Sequence, residues 1–161
     1  YRHYKKTFIV PLVNELSIRG VLLDDYPRRT SRLSLTGQID KIEPIDKTTL
    51  RVVDYKTGRP RRNDENYWRQ LVFYKLLLDR WDNGKYKMVE GELDFLEPMV
   101  SGKYRRECFA VTHADTEALA VTIRQVASEI LSLDFLDRGC RKPDCQFCTL
   151  WAMSTPSVGK T

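Results

Sequence analysis

The sequence predicts an α/β fold in which helices flank a central mixed β-sheet. Residues 33–42 and 49–55 are rich in Leu, Ile, Val and Thr, and the short segment between them holds Pro44 and Asp46, a pattern typical of a β-hairpin. Both faces of this hairpin carry apolar residues, which favours a sheet covered on both sides. Two later segments with helical spacing of apolar residues would supply covering helices.

Three charged residues of this hairpin are expected to meet. If the loop is centred near Lys47, Asp40 lies opposite Asp54, and the alternation of side chains places Lys56 on the same face as Asp54. Facing residues on paired strands have Cβ atoms about 4.5–5.5 Å apart. The rest of that face is apolar (Ile42, Leu50, Val52), and so is the predicted opposite face (Ile39, Val53, Tyr55).

Two carboxylates on a buried patch require a partner for their charge. They repel each other unless they share a proton or a cation, and a hard cation such as Mg²⁺ prefers oxygen ligands. Lys56 would offset part of the negative charge and could orient a water molecule. The alternative is a structural ion pair between Lys56 and Asp40 or Asp54 at the edge of the sheet.

A helix is predicted to follow the hairpin. It begins at Asn63 or Asp64, which can cap it, and extends to about residue 82 with a wide apolar face. Gln70 and Tyr74 are four positions apart and therefore share one stripe of this helix. Taken alone, Tyr74 would be a core residue and Gln70 a surface residue.

The remaining segments complete the sheet and its cover. Residues 7–18 are expected to form one or two strands interrupted at Pro11, with Glu15 as a surface carboxylate near the site, and 19–31 a turn and loop. Asn83-Gly84 and Ser101-Gly102 predict turns around two more strands, 89–96 and 104–111. A second helix is predicted after the last strand. Thr112 and Asp115 form a capping-box pattern that opens an amphipathic, core-covering helix of about six turns. Gly139 is expected to end it.

Three motifs together suggest a known family. Asp40 stands in G-x-x-D, Asp54 and Lys56 stand in V-D-Y-K-T-G, and Gln70 and Tyr74 form Q-x-x-x-Y. This set resembles the RecB-like branch of the PD-(D/E)xK nuclease superfamily, which includes the nuclease domains of RecB, of AddB and of UvrD-like helicases. The resemblance extends from about residue 8 to residue 151. It implies a restriction-endonuclease-like core and hydrolysis of DNA in repair and recombination.

The resemblance also implies roles for single residues. Asp40, Asp54 and the backbone carbonyl of Tyr55 would hold Mg²⁺ or Mn²⁺, and Lys56 would act in catalysis. Gln70 and Tyr74 would support the site or contact DNA. The implied partners are DNA and helicase domains of the same polypeptide or complex, in the cytoplasm and nucleoid of a bacterial-type cell.

A basic cluster follows the motif that contains Lys56. The chain has a formal net charge of +5, and Arg59, Arg61, Arg62 and Arg69 lie close to that motif in sequence. Phosphate contacts by Lys and Arg release counterions and position DNA without reading its sequence. We predict that these arginines contact DNA, although a solvated loop would have the same composition.

Cysteines near the end of the chain depart from the family pattern. In AddB-like nucleases four cysteines hold an iron–sulfur cluster, one of them far upstream and one a few residues after a C-x-x-C. Here Cys145 and Cys148 match the C-x-x-C, no later cysteine follows, and Cys140 is additional. Zinc on the three cysteines is an alternative, but free thiols are the default. We expect neither an iron–sulfur cluster nor zinc.

The length fits one nuclease-like domain, residues 1–151, with a flexible tail at 152–161. RecB-like nucleases usually begin with a helix that contributes a His to the metal site, and this chain begins too late to hold it. We therefore expect weak or absent activity from these 161 residues. No apolar run approaches the roughly 20 residues of a membrane helix, so no membrane partner is expected.

Two other functions remain open at this stage. One is a non-catalytic DNA-binding or scaffolding module of a helicase. The other is a metal hydrolase that acts on small phosphates.

Overall fold

The computed structural model describes residues 9–23, 33–58, 65–133, 140, 142 and 144–154. The strands within these residues are β1 (Val13–Leu23), β2 (Leu33–Pro44), β3 (Thr49–Lys56), β4 (Lys87–Phe95) and β5 (Arg106–Ala110). The helices are α1 (Glu65–Leu78), α2 (His113–Ser132) and α3 (Gln146–Ser154), with a 3₁₀ turn at Trp81–Gly84.

The strands form one mixed sheet in the order β1-β2-β3-β4-β5. Only β3 and β4 are parallel, and α1 connects them, as a parallel crossover requires. The other three neighbouring pairs are antiparallel. The predicted fold class, a mixed sheet flanked by helices, is confirmed.

Helix α1 packs tightly on one face of the sheet because two glycines leave room for it. A Cβ atom at Gly91 would lie 2.9 Å from a methyl group of Leu71, and one at Gly37 would lie 2.5 Å from a methyl group of Leu77. Leu71 and Leu77 are fully buried. This close approach brings the polar residues of α1 within reach of the strand ends.

A buried lysine anchors the far end of α1 to β4. Lys75 Nζ lies 2.8 Å from Asp79 Oδ2 and also donates to the carbonyl oxygen of Met88. Asp79 Oδ1 accepts a hydrogen bond of 2.8 Å from the Met88 N–H. The C-terminal end of α1 is therefore held against β4.

The face opposite α1 is charged, which corrects the prediction that both faces are apolar. Val53 is buried there, but ion pairs surround it, among them Lys41–Glu43 at 2.5 Å and Arg51–Glu90 at 2.8 Å. Further members are Glu92, Asp94 and Arg106. The prediction considered only Ile39, Val53 and Tyr55 of the hairpin. Charged residues that pair with each other can be buried at a much lower cost in free energy than single charged residues, so they are also found on this face.

Close to Asp40, strand β2 interrupts the regular alternation of its residues between the two faces of the sheet. Gly37 faces α1, whereas Lys41, four residues on, lies among the ion pairs of the opposite face. Strict alternation would place both on the same face. The pairing of β2 with β3 ends at Lys41 and Val53, and Glu15, which lies opposite Asp40 in the β1–β2 register, has φ +53°. This irregularity frees Asp40 from the ordinary strand geometry.

Three predicted boundaries were wrong. Strand β1 continues to Leu23 through a bulge between Ile18 and Val21, so residues 19–23 belong to the strand and not to a loop. Gly20 allows the bulge because its φ is +74°. Helix α1 ends at Leu78 and α2 at Ser132, where Leu133 takes φ +60°, before the predicted stops at 82 and Gly139.

The chain divides into two units, residues 1–124 and 125–161. In the first unit, Leu119 and Ile123 of α2 pack against the core as predicted. In the second, Val126, Ile130 and Leu133 are about half exposed. The described helices are all too short or too polar to cross a bilayer.

Candidate functional site

Asp54 and Lys56 form a close ion pair at the end of β3. Asp54 Oδ2 lies 2.5 Å from Lys56 Nζ, and the side chains point the same way because one residue separates them. Asp54 is only 2% exposed. Burial raises the pKa of Asp54, and the nearby Asp40 carboxylate adds to that effect, whereas the lysine opposes it.

The pair is the base of a closed ring of contacts with α1. Lys56 Nζ donates to Gln70 Oε1 at 2.6 Å, and Gln70 Nε2 donates to Tyr74 Oη at 2.6 Å. Tyr74 Oη donates back to Asp54 Oδ1 at 3.1 Å. Burial raises the pKa of Tyr74, which further favours the protonated hydroxyl that donates this hydrogen bond. The ring brings together four of the residues predicted from the motifs.

Asp40 reaches the same site from β2. Its Oδ2 accepts a hydrogen bond of 3.0 Å from the backbone N–H of Tyr55. In an unbroken antiparallel ladder a backbone carbonyl would accept from that N–H. The carboxylate takes its place because β2 leaves β3 here, and this puts Asp40 beside the strand that carries Asp54.

Tyr67, on the predicted apolar face of α1, is a site residue that the sequence motifs do not include. Lys56 Nζ lies 4.6 Å from the centre of the Tyr67 ring, within the range of a cation–π interaction. The ring packs edge-on against Phe95 of β4. The available signal was its position three residues before Gln70, which places both residues on one helical stripe.

A divalent cation fits the carboxylates of this site. Asp54 Oδ2 is buried and, despite its ionic contact with Lys56, accepts no hydrogen bond of acceptable geometry within the described part of the chain. A buried carboxylate oxygen that accepts no hydrogen bond destabilises the folded state unless a further positive group binds it. The second carboxylate, Asp40, is close enough to raise the pKa of Asp54. Two acidic oxygen donors of this kind suit Mg²⁺ or Mn²⁺.

Comparison with known proteins identifies the family. The family model described as the PD-(D/E)XK nuclease superfamily matches residues 2–153. The chain belongs to the PD-(D/E)XK nuclease superfamily. Nuclease activity is the general property of this superfamily, and Asp54 and Lys56 stand in its D-x-K pattern.

One solved structure that is similar to this PD-(D/E)XK chain is the crystal structure of SSO0001. It aligns with a TM-score of 0.50 and 15% sequence identity, over 76% of this chain. The alignment covers 50% of that other chain, and at this identity it indicates the fold alone. No curated protein matches this chain.

The basic cluster of this PD-(D/E)XK domain lies mostly outside the described residues, which do not include Arg59, Arg61 and Arg62. Arg69 is described: it lies on the first part of α1, its side chain is 60% exposed, and it forms a loose pair with Glu65 at 3.9 Å. Because Arg69 directly precedes Gln70, it is one residue from the ring of contacts. Its exposure leaves it available to a polyanion.

Cys140, Cys145 and Cys148 form a cluster in the second unit. Their sulfur atoms all lie within 4.8 Å of one another. They are free thiols in this structure. Cys108, in β5, is not part of the cluster and contacts Glu92 at 3.5 Å.

Proposed function

We propose that this chain is a Mg²⁺- or Mn²⁺-dependent DNA nuclease domain of the RecB-like branch. The observation that carries the proposal is the ring that joins Asp54 and Lys56 to Gln70 and Tyr74, with Asp40 beside it. These residues belong to the three motifs whose combination is typical of that branch. By the same resemblance, the domain serves a helicase–nuclease in DNA repair and recombination, in the nucleoid of a bacterial-type cell.

Asp40, Asp54 and the backbone carbonyl of Tyr55 would hold the metal ion. A metal bound there lowers the pKa of a water molecule and neutralises charge on the phosphoryl group. The remaining contributions come from the chain itself, and the two carboxylates would hold the ion in one place because each side chain is fixed. A backbone N–H holds Asp40, while Tyr74 and Lys56 hold Asp54.

Lys56 supplies a positive charge aimed at the reacting phosphate. Its ammonium group has one contact to Asp54, one to Gln70 and one to the ring of Tyr67, so its position is fixed before substrate binds. A preorganised charge of this kind stabilises the negative charge that develops in the transition state. Gln70 and Tyr74 act by positioning Lys56 and Asp54.

Arg59, Arg61, Arg62 and Arg69 would bind the sugar–phosphate backbone on either side of the cleaved bond. Arg69 is exposed next to the site, and the other three directly follow the end of β3 in sequence. Arginine contacts to phosphates carry no sequence information, so the proposed nuclease cuts without sequence preference.

One observation favours a second function, a non-catalytic DNA-binding module. Lys56 already neutralises Asp54 at 2.5 Å, so the ion pair could have a purely structural role. A titration with Mn²⁺ distinguishes the two, because a structural pair has no need of a metal ion. A catalytic site should bind Mn²⁺ and lose it when a carboxylate is removed.

The test of the proposed function is cleavage of linear double-stranded DNA, single-stranded DNA and mononucleotides in Mn²⁺. Wild type is compared with Lys56→Ala and with Lys103→Ala, which removes an exposed lysine from the β4–β5 turn. We expect Lys103→Ala to retain whatever cleavage rate wild type shows, and Lys56→Ala to be roughly 10²–10³-fold slower than both. Cleavage of mononucleotides but not DNA would favour a small-phosphate hydrolase, and equal rates for the three proteins would contradict the role of Lys56.

A further inference from the structure

The three clustered cysteines lie at the start of α3. Cys145 immediately precedes the helix, Cys148 lies in its first turn, and Cys140 approaches from the preceding segment. The spacing is four residues between the first two cysteines and two between the last two. Both spacings fall within the range found between paired ligands of structural metal sites.

The distances between the sulfur atoms fit a single tetrahedral ion. Two sulfurs that each lie about 2.3 Å from a tetrahedral metal are about 3.8 Å apart. The Cys140 and Cys148 sulfurs are 3.4 Å apart, and all three sulfurs lie within 4.8 Å of one another. A disulfide needs a separation of about 2.05 Å, so no pair is joined.

A backbone N–H group also donates to the cluster. The Cys140 N–H donates to Cys148 Sγ at 3.4 Å. Such donors stabilise thiolates, which are the form that binds metal. The cluster thus has ligands and a supporting hydrogen bond close to a binding geometry.

We propose that Cys140, Cys145 and Cys148 bind one thiophilic divalent cation, such as Zn²⁺, with a fourth ligand from outside the trio. Soft thiolate ligands select this class of metal over Mg²⁺ and Mn²⁺. The site shares no ligand with the carboxylates and does not depend on the proposed nuclease function. It also replaces our sequence-based expectation of free thiols.

The ligand set differs from that of an iron–sulfur cluster, which four cysteines usually hold. The fourth cysteine of this chain, Cys108, lies in β5 beside Glu92 and is not among the three clustered sulfurs. The trio therefore favours a mononuclear site, in which a water molecule or another side chain completes the coordination.

Titration of the full, reduced chain with Co²⁺ tests this site. Co²⁺ adopts the same geometry as Zn²⁺, and its bonds to thiolates give intense near-ultraviolet charge-transfer absorption that oxygen ligands do not give. We expect this band to saturate at one ion per chain and to disappear when Zn²⁺ is added. Cys140→Ser, Cys145→Ser and Cys148→Ser should each weaken or abolish it, and the matched control Cys108→Ser should leave it unchanged.

Three results would overturn the proposal. The first is the absence of the charge-transfer band from the reduced wild type. The second is an equal loss in Cys108→Ser, or no loss in any of the other three variants. The third is an iron-dependent visible spectrum in protein purified without added metal, which would indicate a cluster instead. Circular dichroism of each variant checks folding, and because all three cysteines are at the surface or half-exposed we expect it to be unchanged.

Discussion

Tyr74 Oη donates a hydrogen bond of 3.1 Å to Asp54 Oδ1, linking a helix to a strand residue that lies twenty positions earlier. The same hydroxyl accepts a hydrogen bond from Gln70, so it joins the two halves of the ring around Lys56. The ring places a phenol, an amide and an ammonium group around one buried carboxylate. Removing any one of them should have effects on both stability and catalysis.

Tyr74→Phe should lower the free energy of unfolding by about 1–3 kcal/mol, because Asp54 Oδ1 loses its donor and Gln70 Nε2 loses its acceptor in a partly or fully buried site. The rate of DNA cleavage should fall as well, because Asp54 loses the hydrogen bond from Tyr74, and Gln70, which positions Lys56, is no longer held by it. Urea denaturation and single-turnover kinetics measure the two effects. The matched control is Tyr55→Phe: this tyrosine is 40% exposed, and its change should be nearly neutral.

Replacing Tyr67 tests whether its ring positions Lys56. Tyr67→Leu should reduce the catalytic rate by roughly 2–5-fold with little change in KM, because a cation–π contact contributes about 0.5–1 kcal/mol. Tyr67→Phe retains the ring and should retain the rate. In NMR spectra the methylene protons beside the Lys56 ammonium should be shifted upfield in wild type and in Tyr67→Phe only. The same shift in Tyr67→Leu would show that the ring does not contact Lys56.

The ionisation of Asp54 should make metal-free stability depend on pH. Burial raises the pKa of Asp54 above its ordinary value of 3.8, so the folded state holds this proton more tightly than the unfolded state. The free energy of unfolding should then decrease as the pH rises from about the unfolded pKa through the folded pKa. Asp54→Asn cannot titrate, so its stability should fall less over this window. Denaturation of both proteins in chelator, over a pH series, measures the difference, and identical slopes would contradict it.

The side chain of Thr112 should stabilise the N-terminus of α2. Its Oγ1 accepts from the Asp115 N–H at 3.3 Å, while Asp115 Oδ2 accepts from the Thr112 N–H at 2.8 Å, which is the capping box expected from the sequence. Thr112→Ala should cost about 1 kcal/mol of stability. Thr122→Ala, an exposed change in the interior of the same helix, should cost little or nothing. Equal losses in thermal denaturation would show that the cap contributes nothing specific.

Much of the sheet could be predicted because period-two alternation and turn residues are local signals. The hairpin register that brings Asp40 near Asp54 is an example, since it follows from the position of the loop around Lys47. The bulge after Ile18 could not be predicted in the same way. Gly20 permits a positive φ, but a glycine alone also fits a loop, and pairing with β2 decides between the two.

The candidate site was predictable in its members but not in its detailed contacts. Lys56, Gln70 and Tyr74 stand in recognisable motifs, whereas no local sequence signal predicts the change of face at Asp40 or the positive φ of Glu15 on the neighbouring strand. The charged face of the sheet depends on partners from different strands, such as Arg51 of β3 and Glu90 of β4. Separation in sequence conceals such pairs, because each residue alone is typical of a surface position.

The central claim, a divalent cation held by the carboxylates, is tested most directly by Mn²⁺ binding to wild type, Asp54→Asn and Asp94→Asn. Asp54 and Asp94 are 2% and 1% exposed, lie on neighbouring strands and receive the same isosteric change, but Asp94 belongs to the opposite, ion-paired face of the sheet. Calorimetric titration should show Mn²⁺ binding to wild type and Asp94→Asn, and none or much weaker binding to Asp54→Asn. Binding that is equal in all three proteins, or absent from wild type, would contradict the account.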